Sequence, residues 1–489
     1  MAQSPTTIVD EMAIALSNMG NAASGAFTPT LRLGVTGLSR SGKTVFITSL
    51  VKNLLDGERL AGFSPAYQGR FIGAKLTEHP DKAIPRFAYE KHLASLTGAN
   101  KGSVPVWPAS TNNISQLRLT LKYQSNKWFG AINGPNTLNL DIVDYPGEWL
   151  LDLPLLSQNY TQWSKQTLAH CDRTAQTSET KTFLAALQPL KKDQEANEDI
   201  SQNLAKLFTA HLQGARITGR SMSTLPPGRF LMPGDMKDSP ALTFSPLPAA
   251  LQNLQNDSLY ALMQRRYEAY KSIVIRPFFR DHFATLDRQI VLVDALRALH
   301  AGPDAISDLQ EALNSVLACF RQGNNNPLSK IFAKKIDRIL FVATKADHVH
   351  HTSHSQLLQI INKLVARAAK AARFSGAQTK TIAIASVRAT SEGVIKDKEG
   401  ELACLIGTPE KGEVLEGITY DGKSEIALFP GDLPKDADSI FEQTLKPGLL
   451  NFMRFSPPEN LKSTTRKNSG LPHIRLDKAI DYLLEDWMR

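Results

Sequence analysis

Cysteine is scarce. The 489 residues hold three, Cys171, Cys319 and Cys404, far apart and with neither a CxxC pair nor a Cys/His cluster. This spacing argues against a disulfide framework or a structural zinc site, and fits a reducing compartment. No run approaches the roughly 18 consecutive apolar residues that a membrane span needs. Charge of one sign is nowhere concentrated. The formal +9 is spread as an excess of +4 over residues 1–150, +3 over 151–300 and +2 over 301–489. A nucleic-acid surface usually shows a basic stripe or arm, so no nucleic acid is predicted as a partner. Basic residues are missing from the start, where Asp10 and Glu11 precede the first of them, Arg32, the reverse of a secretory leader. Internal repeats and low-complexity tracts are absent. What is present suffices for a large core: 42% hydrophobic and 21% charged residues, in a chain about three domains long.

Residues 7–19 (TIVDEMAIALSNM) read as a short helix with an apolar face but without the Lys or Arg that anionic lipid favours. Packing on its own domain or on a partner is the expectation for it. Residues 31–36 (LRLGVT) read as a buried strand, 43–55 as a helix, and 117–121 (LRLTL) and 137–143 (TLNLDIV) as strands. Further strands are expected at 289–294, 338–343 and 380–385, with helical periodicity near 305–321 and 354–373. Such alternation predicts an α/β fold: a mostly parallel sheet with helices on both faces. Two segments fall outside it. Residues 151–285 are rich in helix formers and broken by Pro226, Pro227, Pro246 and Pro248, and residues 394–450 hold Gly-punctuated runs suited to hairpins. The expected organisation is an N-terminal segment (1–30), a nucleotide domain in two parts (31–150 and 286–393), a helical insertion (151–285), and a hairpin-rich extension with a final helix near 476–488 (394–489).

The strongest motif is GLSRSGKT, Gly37 to Thr44, which matches G-x-x-x-x-G-K-[ST] between a predicted strand and a predicted helix. Glycines at 37 and 42 let successive N–H groups wrap phosphate oxygens, and the helix N-terminus adds positive potential. Lys43 supplies a point charge to the β- and γ-phosphates, and the Thr44 hydroxyl is a ligand for Mg²⁺. Expected nucleotide contacts are Gly37, Ser39, Arg40, Ser41, Gly42, Lys43, Thr44 and Val45.

Two later motifs bear on the base. DYPG (Asp144 to Gly147) ends the 137–143 strand, placing Asp144 to hold Mg²⁺ through water and the Gly147 amide to sense the γ-phosphate. TKAD (Thr344 to Asp347) ends the 338–343 strand. A carboxylate at Asp347 can accept hydrogen bonds from guanine N1 and N2, a donor pair adenine lacks. Thr344 belongs to the same element and Lys345 would lie along the base. Ser386 and Val387, at the end of the last strand, sit where a backbone amide can meet guanine O6. Each motif falls at the C-terminal end of a strand, where open α/β sheets bind ligands. GTP or GDP with Mg²⁺ is therefore the expected cofactor set. An ATP-using P-loop NTPase, or a nucleotide-dependent scaffold with vestigial hydrolysis, is the alternative.

Thr111, in WPASTNNIS, is the candidate switch threonine for Mg²⁺, against a plain turn-capping role. Glu148 follows Gly147, where Ras-type proteins place a water-orienting Gln. It is either a catalytic carboxylate or a solvated residue opening a switch helix. Arg40, inside the phosphate loop, could neutralise transition-state charge as an arginine finger in cis, or pair with a local carboxylate. The loop resembles that of guanylate-binding proteins and atlastins, which implies the finger role for Arg40 after self-association. Asp294, at another strand end, reads as a cap for the next segment. His348, His350, His351 and His354 read as a solvated loop without a metal framework.

Longer strings, LRLGVTGLSRSGKT, LDIVDYPGEWLLDLPLL, PGRFLMPGDM, DRQIVLVDAL, FVATKADHV, ASVRAT and LPHIRLD, resemble the YcjX family of bacterial stress-associated P-loop proteins from about residue 31 onward. That resemblance implies a Ras-like nucleotide domain with a helical insertion and a smaller C-terminal extension, and a link to envelope or heat stress; the reading of the residues as a whole is a Mg²⁺-dependent GTP-binding switch with slow hydrolysis aided by a partner or self-association. It further implies a cytoplasmic protein with a membrane-protein partner as an option, and peripheral contact with the inner membrane through that partner stays open.

Overall fold

The computed structural model describes residues 28–489 apart from 38–40, 100–102, 110, 112, 127–133, 174–176, 218–225, 238, 254, 319–335, 398–399, 416, 442–449 and 462–468. The helix expected at 7–19 lies outside the described residues, as does Cys319.

Seven strands form the main sheet: β1 (Thr30–Gly37), β2 (Phe71–Thr77), β3 (Ser115–Tyr123), β4 (Asn136–Asp144), β5 (Arg288–Val293), β6 (Arg338–Ala343) and β7 (Gln378–Ala383). Their order is β2-β3-β4-β1-β5-β6-β7, with β4, β1, β5, β6 and β7 mutually parallel, β3 antiparallel to β4, and the edge strand β2 antiparallel to β3. This is the α/β Ras-like P-loop core expected of the sequence. All six expected strands are present within two residues at each end. The edge strand β2 has no clear sequence signal, because FIGAKLT is half-exposed throughout and carries Gly73 near its centre. β7 begins and ends two residues earlier than its apolar run, and Ala385 instead bridges to Ile474.

Side-chain alternation along each strand serves two different layers. Ile290 and Leu292 of β5, with Leu340 and Val342 of β6, face the helix Lys43–Asp56 and the final helix Leu476–Leu484. Val291, Val293, Ile339 and Phe341 face the other way, toward the helices Pro303–Ala318 and His354–Phe374. On that second side the core runs without a break into the chain between β4 and β5. There the helices Tyr160–Arg173, Ser178–Leu187, Glu198–Ile217 and Leu259–Tyr270 enclose buried rings that include Trp163, Phe208, Phe244 and Tyr267. Trp163 stacks on Tyr267 at 5.0 Å between centroids and meets Phe244 edge-on at 5.4 Å.

Beyond β7 the chain forms a hairpin of β8 (Ser391–Asp397) and β9 (Gly400–Gly407), then returns to the sheet. Asn53 holds the returning strand from both sides. Its Nδ2 donates to the Leu471 carbonyl at 3.3 Å, and its Oδ1 accepts from the Leu471 amide at 2.7 Å. The final helix then buries Leu476, Ala479, Ile480, Leu483 and Leu484 under the sheet, and Arg288, wholly buried, pairs with Asp486 at 2.6 Å. The C-terminal helix is thus a layer of the nucleotide-type core as well as the end of the extension.

Candidate functional site

The five parallel strands end along one edge, and their C-terminal loops surround a cavity of about 680 Å³. At one end lie Gly37 at the end of β1 and Ser41 and Gly42 ahead of the 14-residue helix Lys43–Asp56. Gly42 caps that helix in the left-handed conformation (φ 83°), which a side chain would resist. No side chain caps the helix and no acidic residue occupies its first turn, so its N–H groups and positive pole face the cavity. The buried Ser41 hydroxyl has no hydrogen-bond partner among the described residues. These features suit an anion. Ser39 and Arg40 lie outside the described residues.

Lys43, Thr111 and Asp144 close into a polar triangle. The Lys43 ammonium donates to Asp144 Oδ1 at 2.5 Å and to Thr111 Oγ1 at 3.1 Å. The Thr111 hydroxyl in turn donates to Asp144 Oδ2 at 2.7 Å. Thr44, nearly buried, lines the cavity beside them. Hydroxyls of Thr44 and Thr111 with the Asp144 carboxylate form an all-oxygen donor set of the kind Mg²⁺ takes.

Past Asp144 the chain enters a buried 3-10 segment, Gly147–Ser157. Glu148, expected as catalytic or solvated, is buried at 5% exposure and lines the cavity, so the solvated alternative is corrected. It is covered because the segment Gly228–Leu231 lies directly on it. A Cβ at Gly228 would stand 1.9 Å from the Glu148 carbonyl oxygen, so only glycine permits this approach. Asp152 fastens the two segments, accepting from the Gly228 amide and the Tyr270 hydroxyl at 2.6 Å each. Full burial raises its carboxyl to about 6 despite those hydrogen bonds. The Arg229 guanidinium sits 3.2 Å from the Trp149 ring centroid, and the Trp149 indole donates to the Met232 carbonyl at 2.9 Å. Gly147 leads this segment and is itself buried.

At the cavity's other end, Asp347 is 5% exposed and its Oδ2 accepts from the Ala389 amide at 2.8 Å. The Thr390 hydroxyl donates to the Asp347 carbonyl at 2.5 Å, tying this loop to the exit of β7. Ser386 and Val387 line the same end, and the Ser386 carbonyl accepts from Ser49 of the phosphate-loop helix at 2.6 Å. Thr344 is buried and donates to the Val293 carbonyl. Lys345 adopts a left-handed conformation (φ 61°) and reaches Asp294 Oδ2 at 2.6 Å. Asp294 also caps the helix Ala295–Ala301, its Oδ1 accepting from the Arg297 amide at 3.3 Å, as expected of it.

Among the described residues that the motifs single out, Gly37, Ser41, Gly42, Lys43, Thr44, Val45, Thr111, Glu148, Thr344, Lys345, Asp347, Ser386 and Val387 all line this one cavity. Asp144 meets it through Lys43. The histidines divide instead of forming one solvated loop. His348 is half-buried, packed against the rings of Phe452 and Phe455, and desolvation lowers its pKa. His354 is held at both ring nitrogens, by the Ala346 carbonyl at 2.7 Å and the Arg475 guanidinium at 3.1 Å. The reason is the return of the chain near 452–455, which covers what would otherwise be an open turn. That return supplies cavity walls which no motif announces: Phe452, Arg454 and Phe455, with Glu410 and Glu413. Trp107 joins them by donating its indole N–H to the Phe455 carbonyl at 2.7 Å. Arg297 and His300 also line the cavity, and their place in the first turns after a strand end is the one signal that could have found them.

The fold and this edge define the chain as a Ras-like P-loop protein of the α/β class. It belongs to the YcjX-like family, DUF463, which it matches over residues 31–488. It is 35% identical over 474 residues to the Ras-like GTPase YcjX of Escherichia coli strain K12, covering 94% of this chain and 96% of that protein. A similar protein, the Ras-like GTPase YcjX of Shewanella oneidensis strain MR-1, is 35% identical over 479 residues, covering 93% of this chain and 94% of its own length.

Proposed function

We propose that the chain is a Mg²⁺-dependent GTPase switch that hydrolyses GTP to GDP and phosphate, slowly until a partner or a second copy engages it. The observation that carries this reading is one cavity with an anion-binding helix N-terminus at one end and the buried Asp347 carboxylate at the other. The carboxylate can accept from guanine N1 and N2. Facing adenine the carboxylate would gain no donor beyond the Ala389 amide that it already has, which supports selection against ATP. Both relatives are named as GTPases, which supports the same activity.

On this reading Lys43 trades its Asp144 partner for the β- and γ-phosphate oxygens, and Asp144 is then free to hold the magnesium hydration shell with Thr44 and Thr111. Mg²⁺ would neutralise charge on the phosphates. Glu148, which lines the same cavity, would stand near the γ-phosphate and orient water with its carboxylate. Arg40 would add positive charge over the β/γ bridge once self-association or a partner engages the chain. The segment from 151 to 285 acts as an insertion that grips the switch through Gly228. Calorimetric titration with GTP, GDP and ATP, each with Mg²⁺, tests the reading. Binding of both guanine nucleotides at least 100-fold tighter than ATP is expected, and equal affinity for ATP overturns it.

A further inference from the structure

Two of the four clustered histidines, His350 and His351, are left unexplained by the nucleotide cavity, and they face a residue from another element. Glu392 of β8 brings its carboxylate against both rings: Oε2 lies 2.8 Å from His351 Nδ1 and 3.9 Å from His350 Nε2. All three donor atoms fall within 4.8 Å of one another. Ligands about 2.0–2.1 Å from a tetrahedral zinc ion stand roughly 3.3 Å apart, so the observed separations bracket the required one. The donors are also oriented by neighbours. His350 Nδ1 is taken by the Thr352 hydroxyl at 2.9 Å, which leaves Nε2 to face Glu392. Glu392 Oε1 accepts from the His351 amide at 3.0 Å, which leaves Oε2 to the rings. Outer partners of this kind fix the ring orientation of metal-binding histidines. His354, held at both nitrogens, is not a candidate for the remaining position, which is open to water.

We propose that His350, His351 and Glu392 form a binding site for a borderline divalent transition-metal ion, with zinc the best fit to two imidazoles and one carboxylate. Its position gives it a consequence for the base end of the cavity. His350 and His351 follow Asp347 by three and four positions. Glu392 follows Ala389 and Thr390, the residues that hold Asp347 by its carboxylate and its carbonyl. An ion joining His350 and His351 to Glu392 clips together the two loops that meet at the base end, and so slows release of the nucleotide. This second part rests on the GTPase reading; the metal site does not.

The test uses the full chain without a polyhistidine tag. Nucleotide-free protein, stripped with chelator and exchanged into metal-free buffer, is titrated with Zn²⁺ by calorimetry and its metal content read by mass spectrometry. One ion per chain is expected, bound at least 100-fold more weakly by His351→Ala and by Glu392→Gln. Thr352→Ala, which touches only the outer partner, is expected to cost about 10-fold. Circular dichroism checks that each variant keeps its fold. Equal zinc binding by parent and the His350→Ala/Glu392→Gln double variant leaves only a solvated ion pair and overturns the site. Release of a fluorescent GDP analogue is then timed with and without Zn²⁺. A several-fold slowing in the parent and none in Glu392→Gln supports the clip, whereas an unchanged rate in zinc-loaded parent overturns it. Failure of GDP to bind at all would strike the GTPase reading and leave the zinc titration standing.

Discussion

The two ends of the cavity are built by opposite means. The phosphate end comes from one continuous stretch, β1 through the helix Lys43–Asp56, plus two side chains, Thr111 and Asp144, locked to Lys43 within 3.1 Å. On the proposed reading most of its phosphate contacts would be backbone N–H groups, so glycine placement and one lysine would determine it. The base end is assembled from four separate pieces: the turn around Asp347, the exit of β7, Trp107, and the return at Phe452–Phe455. It depends on side-chain packing between segments distant in sequence. A chemically fixed requirement, a dense anion, is met by local backbone. On the proposed reading, a planar base would be met by a fitted wall.

The sharpest way to break the comparison is to remove the charge at the phosphate end. Lys43→Ala should abolish detectable turnover and weaken GTP binding by 100-fold or more, since a charge-assisted contact to phosphate is lost. It also leaves the Asp144 carboxylate, 1% exposed, with Thr111 as its remaining partner in the triangle, so a lower melting temperature is expected too. Turnover equal to the parent's would show that the phosphate end is not built as described.

At the base end, Asp347→Asn replaces an acceptor with an amide that meets guanine N1–H with its own N–H. Guanine nucleotides should bind 10- to 100-fold more weakly, in line with about 1.5–3 kcal/mol for a hydrogen bond to a charged group. Affinity for ATP should hold or rise, because on the proposed reading the carboxylate disfavours adenine. Calorimetry on the same three nucleotides reads both. A uniform loss would mean that the substitution had disturbed the loop through Ala389 and so would not report on base choice.

How much of this is legible in the sequence follows the same division. The phosphate loop, DYPG and TKAD are readable because each is a short string whose spacing is imposed by the chemistry it performs. Phe452, Arg454 and Trp107 are not, since nothing in FMRF or VPVWP marks it as facing a loop distant along the chain. Arg454 is held by Glu413 at 2.7 Å and by Glu410 at 3.3 Å, an ion cluster that only the fold of the extension brings together. The burial of Glu148 is equally hidden. It needs Gly228, and the absence of a side chain gives no sequence signal until its neighbour is known.

Between the two ends, the buried segment Gly147–Ser157 offers a test through pH. Burial raises Asp152 to about 6, above the ordinary carboxyl value. The folded protein therefore binds this proton more tightly than the unfolded chain, so the stability it contributes is full below about pH 4 and is lost as pH rises through about 6. The difference is on the order of 2–3 kcal/mol for a shift of two pH units. Asp152→Asn keeps an acceptor for the Gly228 amide and cannot ionise. Melting temperatures measured from pH 4 to 8 should fall across that window in the parent relative to the variant, and parallel curves would place the charge elsewhere.

The smallest expected effect is the most specific to the comparison. Phe452 packs its ring on His348 at 5.6 Å and lies 5.4 Å from the Lys345 ammonium, which also contacts Asp294. Such a cation–ring contact at a partly open site is worth about 0.5–1 kcal/mol. Phe452→Ala should therefore weaken GTP and GDP alike by roughly three- to fivefold, because both present the same base to this wall. Equal factors for the two nucleotides keep Phe452 at the base end. A loss confined to GTP would mean that the return of the chain senses the γ-phosphate, and the separation of labour between the two ends would not hold.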